Sequence, residues 1–256
     1  MLDPNYSIAA YYRARVLFID KQRAEPEELL EEVNAAIEAD KSNCRAWLLK
    51  TQTILHNMEM LRNEIDLMER QGNVRDPDKL YQDTMHSFIH AGLDYSEKTI
   101  LCLKEDPIKD PFEELDLTDK KVWLLATLFQ GVLHRTTINA STKTLEKSIQ
   151  ILSDFIEQHE NSKEYNKVLQ VTAYRQRGRA YMALGEYLKA EKDFDQGVQC
   201  MNDDCASETA ITLFYRGTVK LKSGAYLESI EDFEKYRLIY KKNNLDVDPE
   251  CLAGIA

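Results

Sequence analysis

A chain of 256 residues with 43% hydrophobic and 30% charged residues has the length and composition to bury a real core, which excludes a disordered polymer. Its formal net charge of −11 repels phosphate backbones, which excludes nucleic acid as a general partner. Six Pro and nine Gly provide for few turns, so the elements are long, and their richness in Leu, Glu, Lys and Ala makes them helical.

The first predicted element, "YSIAAYYRARVLFI" (6–19), carries Arg13 and Arg15 and reads as an amphipathic helix. Asp3 and Asp20 flank it, against a transit peptide, and the N-terminus lacks the layout of a secretion signal. A cytoplasmic location is expected. A second helix starts in "EPEELLEE" (25–32). Pro26 suits a first helical position, and Glu27 and Glu28 in the first turn complement the helix dipole. Residues 6–40 thus form a first hairpin. A long helix over 44–70, a connection over 72–79 and a helix over 80–104 form a second. Pro107 and Pro111 make 105–118 the place for a kink or sub-domain break. Helices over 119–135, which contains Trp123, and 142–159 form a third hairpin. The longest uncharged apolar run, 122–133, is far short of a membrane span, so no direct membrane insertion is expected.

From 164 onward the chain repeats itself. Shifting the sequence by 39 residues brings Arg177-Gly178 onto Arg216-Gly217, Gly185 onto Gly224, Tyr187-Leu188 onto Tyr226-Leu227 and Asp193-Phe194 onto Asp232-Phe233. Ala190 meets Ser229, small for small. Each copy reads as two antiparallel helices joined at a glycine, over 164–200 and 206–243. Gly in mid-helix costs about 1 kcal/mol against Ala, so Gly178 needs a reason, and close approach of bulk such as Tyr181 or Phe194 supplies one.

The series Tyr174-x2-Arg177-Gly178-x2-Tyr181 and Ala190-x3-Phe194 resembles the tetratricopeptide repeat pattern W-x2-L-G-x2-Y … A-x3-F. Tyr174 stands for the Trp, Arg177 for the Leu, and Gly197 for a second small residue. In the last copy Gly217 and Phe233 match, but Lys220 takes the Tyr position and Tyr236 a small position, as in an atypical terminal repeat. A weaker likeness covers 29–54, with Ala36 at a small position and Trp47 at the Trp. The resemblance implies an all-α, right-handed solenoid of about five helical hairpins. It would run as a single unit over 1–256, irregular over 6–159 and regular over 164–243.

It also implies function: a non-catalytic interaction scaffold or adaptor that captures a protein or peptide segment in a concave groove. Arg175, Arg179, Phe214 and Thr218 occupy the matching groove positions. Forked arginines there suit an acidic peptide. The competing reading gives both arginines to ion pairs with acids such as Glu186 or Asp193, or simply to solvent. The Lys and Asn arrangement with which some family members clamp a chaperone's terminal carboxylate is not reproduced. Two alternatives to the adaptor are a structural subunit of a large multiprotein assembly and a ligand-sensing regulator or enzyme with a pocket in 44–135.

No catalytic signature is present in the sequence, and no enzyme activity or cofactor is expected. His86 and His90 stand four apart, a spacing that suits a metal, but without a third ligand in view they read as structural or solvent-facing and no metal is assigned. Cys44, Cys102, Cys200, Cys205 and Cys251 lack CxxC spacing and read as free, mostly buried thiols of a reducing compartment.

Overall fold

A computed structural model describes residues 4–19, 26–71, 77–103, 119–136, 140–160, 166–199 and 206–243. Every regular element among them is an α-helix, as the composition requires. They are α1 (Pro4–Ile19), α2 (Pro26–Ala39), α3 (Cys44–Arg70), α4 (Pro77–Cys102), α5 (Asp119–Thr136), α6 (Thr142–Glu160), α7 (Lys167–Ala183), α8 (Tyr187–Gln199), α9 (Ala206–Lys222) and α10 (Tyr226–Asn243). α4 begins three residues before the expected start, because Pro77 is pre-organised for a first helical position. No helix among the described residues is long and apolar enough to cross a membrane. The break expected at 105–118, Cys200, Cys205, Cys251 and the chain after 243 lie outside the described residues.

The chain divides into two compact units, Met1–Leu133 and His134–Ala256. The hairpin expected over 119–159 spans their boundary. In the first unit α1 pairs with α2 and α3 with α4. Asn43 ties the first three helices together. Its Oδ1 accepts the Ala46 N–H at 3.1 Å, capping α3, and its Nδ2 donates to Ser7 Oγ at 3.0 Å. Ser7 Oγ in turn donates to the Ala36 carbonyl at 2.6 Å. Ala10, Ala14, Val33 and Ala36, all fully buried, let these helices pack closely. Trp47 sits against Tyr95 of α4, ring centroids 5.9 Å apart, and its Nε1 donates to the Lys41 carbonyl. Cys44 and Cys102 are buried, and their thiols donate to the Ser42 carbonyl at 3.4 Å and the Lys41 carbonyl at 3.1 Å.

In the second unit α6 packs on α7, α7 on α8, α8 on α9 and α9 on α10, a succession consistent with a helical repeat. Both turns of the repeated segment end the same way. Gly185 and Gly224 take φ of 76° and 83°, a region that favours residues without Cβ. After α7, Glu186 N–H donates to Tyr181 O and Gly185 N–H to Met182 O. After α9, Ala225 N–H donates to Lys220 O and Gly224 N–H to Leu221 O. Each is the paired closure that satisfies a helix C-terminus and reverses the chain within three residues.

Candidate interaction surface

The helices that would line a groove are α7 and α9, and their contents are set by a lock built twice. Arg177 forks onto Asp193, with Nε to Oδ2 at 2.8 Å and Nη2 to Oδ1 at 2.6 Å. Arg216 forks onto Asp232 with the same two atom pairs at the same distances. The spare Nη1 of each reaches the helix before it: Arg177 to Ser153 Oγ of α6 at 3.0 Å, and Arg216 to Asp195 Oδ1 of α8 at 2.8 Å. Each arginine therefore joins three helices, and a planar fork is the side chain that can do so.

Beside each arginine a glycine admits an aromatic ring. A Cβ on Gly178 would lie 2.6 Å from Phe194 Cε1, and one on Gly217 would lie 2.9 Å from Phe233 Cε1. Real Cβ atoms do not approach so closely, so the ring occupies the space of the missing side chain. The bulk beside Gly178 is thus Phe194, which is fully buried with Ala190. At the place of Ala190, Ser229 is also buried, and its hydroxyl donates to the Gly217 carbonyl at 2.8 Å.

The two carboxylates titrate differently. Burial pushes Asp193 above the ordinary carboxylate range, and the pull of Arg177 offsets this only in part. Burial pushes Asp232 the same way, but hydrogen bonds from Arg216 and then Lys220 outweigh it and hold the group below that range. Lys220 Nζ lies 2.9 Å from Asp232 Oδ2. The lysine in the Tyr position of the last copy is therefore a second cation for the lock.

The four positions expected to line a groove have separate fates. Arg175 is 7% exposed and ion-pairs with Glu208 of α9, which also accepts a hydrogen bond from Thr172. Phe214 is 5% exposed and packs on Phe233 and Tyr236, each 5.7 Å away between centroids. Both are interior residues that clamp α9 to its neighbours, and neither offers a groove surface in this structure. Arg179, half-buried, lies over the Tyr215 ring at 4.4 Å, and Thr218, half-buried, bonds back to the Phe214 carbonyl. The partners foreseen for the arginines also differ. Glu186 goes to Lys189 and Asp193 to Arg177, so the ion pair of Arg175 runs between α7 and α9.

Tyr174 and Tyr181 stay on the structural face. Burial, then a 2.6 Å hydrogen bond to Glu160, raises the Tyr174 phenol well above its usual value. The same Glu160 oxygen accepts from Gln170, whose Oε1 meets His159 Nδ1 at 2.7 Å. His159 Nε2 accepts the Asn166 N–H at 3.0 Å, which leaves the imidazole proton on Nδ1. This chain, buried at His159 and Gln170, joins α6 to α7, and periodicity gives no sign of it. Arg177 and Asp193 had a sign: both recur 39 residues later. Comparison with family models and with curated proteins finds no match to this chain.

Proposed function

We propose that the chain is a non-catalytic interaction scaffold, built as a right-handed solenoid of the tetratricopeptide kind, that binds a protein or peptide partner. The observation that carries this reading is the duplicated lock. In both copies a charged fork and a glycine–phenylalanine seat go into fixing helix geometry, as a repeat that serves as a frame requires. Three cations lie on tyrosine rings of these helices: Arg179, half-buried, over buried Tyr215 at 4.4 Å, Lys189, which also pairs with Glu186, over Tyr181 at 5.4 Å, and exposed Lys222 over Tyr187 at 5.9 Å. An acidic segment is the partner chemistry that suits them. The resemblance and the helix-pair packing support the same frame; of the expected groove positions Arg179 and Thr218 are half-buried rather than interior, and Lys222, one turn beyond Thr218, is exposed.

A second reading, a subunit of a multiprotein assembly, is favoured by one face of α10. Leu227 is 76% exposed, Leu238 66%, Tyr226 63% and Ile230 54%. Exposed apolar side chains of this size, here interspersed with Glu234, Arg237 and Lys241, are what a neighbouring subunit covers.

Affinity capture with the wild type, Arg179→Glu/Lys222→Glu and Leu227→Glu/Leu238→Glu separates the two. A discrete partner lost only from the still-helical arginine–lysine variant supports the groove. Loss only from the leucine variant supports the assembly face, and a partner set unchanged in both sinks both readings.

A further inference from the structure

In the first unit, α4 carries His86 and His90 on successive turns of one face, and both side chains are exposed. Their Nε2 atoms stand 3.2 Å apart, ring centroids 4.4 Å apart, with the planes inclined by 56°. Read without a metal, this is a hydrogen bond between two imidazoles that water could serve equally well. The same separation is also the bite of a chelate. An ion bound about 2.0–2.1 Å from each nitrogen would subtend an N–metal–N angle of about 100–106°, between an octahedral right angle and the tetrahedral value. Converging imidazole nitrogens favour borderline transition-metal dications over the hard ions Mg²⁺ and Ca²⁺, which require oxygen.

One turn beyond His90, Asp94 Oδ2 accepts from Lys98 Nζ at 2.6 Å, so that carboxylate is already engaged. No group of three or more His, Cys, Asp and Glu able to hold a metal occurs among the described residues. We propose that His86 and His90 form a two-imidazole chelate for a dication of the Ni²⁺, Cu²⁺ and Zn²⁺ class. Bound there, the ion links two turns of α4 and stabilises the folded helix by mass action.

The test is calorimetric titration of the full chain with Ni²⁺, and separately with Ca²⁺, using the wild type, His86→Gln, His90→Gln and the double variant. Both residues are exposed, so the variants are expected to keep the wild-type circular dichroism. The wild type should bind one Ni²⁺ with no matching Ca²⁺ event. Each single variant should lose at least about tenfold in affinity, the loss that removal of even an outer partner brings. Ni²⁺ should raise the thermal midpoint of the wild type and leave that of the double variant unmoved. Absence of Ni²⁺ binding by the wild type overturns the proposal. So does binding that survives both substitutions, which would place the ion elsewhere, or binding that only one of them weakens.

Discussion

The pairs α7–α8 and α9–α10 hold the same four residues in the same geometry, yet their carboxylates move in opposite directions. Among the described residues Asp193 meets one cation, Arg177, and burial wins. Asp232 meets two, Arg216 and Lys220, and the cations win. The exchange that decides it is Tyr181 in the first copy for Lys220 in the second. A second difference lies one helix on. A Cβ on Gly197 of α8 would lie 3.0 Å from Thr212 Cγ2, so the missing side chain lets α9 dock. At the matching place in α10, Tyr236 turns inward, 2% exposed, against Phe214 and Tyr240. One lock thus serves two helix pairs whose surroundings differ.

The largest expected effect comes from removing the fork. Arg177→Met leaves Asp193 buried without a cation and should cost about 3–5 kcal/mol, whereas Arg216→Met leaves Lys220 in place and should cost about 1–3 kcal/mol. Urea unfolding of the two variants reads the difference, and equal losses would break the comparison. The double variant Arg216→Met/Lys220→Met should restore parity with Arg177→Met.

Next is the glycine seat. Gly178→Ala should destabilise by about 1–3 kcal/mol through overpacking, less whatever better helix propensity returns. Gly217→Ala should cost less, because its contact is 2.9 Å rather than 2.6 Å and Phe233 is half-buried where Phe194 is fully buried. Combining Gly178→Ala with Phe194→Leu should give a loss smaller than the sum of the two single losses. Strict additivity would mean that the ring and the glycine are not coupled.

Much of this frame was legible. The helices, the turn glycines and the close approach at Gly178 follow from spacing and from the 39-residue offset. The groove was not, and α7 shows why. It packs against α6, α8 and α9, and Gln170, Val171, Ala173, Arg175, Gln176, Gly178 and Ala180 are all buried on it. A helix enclosed on several sides has no apolar stripe to set a core face apart from a groove face. Arg175 therefore reads as a groove residue in the sequence and is interior in the fold. Arg177 reads as a departure from a leucine pattern for a related reason: its partner Asp193 lies on the next helix, where no sequence spacing pairs the two.

The smallest effect is the pH dependence, and its sign divides the copies. Asp232 has its folded value below that of the unfolded chain. It contributes stability above about pH 3.8, lost as pH falls through the folded value. Asp193 has its folded value raised, so the folded state binds the extra proton. Its contribution is present below about pH 3.8 and is lost as pH rises through the folded value. Subtracting the stability profile of Asp232→Asn from that of the wild type between pH 3 and 6 should therefore leave a curve that falls toward acid. The same subtraction for Asp193→Asn should leave one that falls toward neutral pH. Two curves that both fall toward acid would mean that Arg177 alone outweighs burial, and that Lys220 is not what distinguishes the second lock from the first.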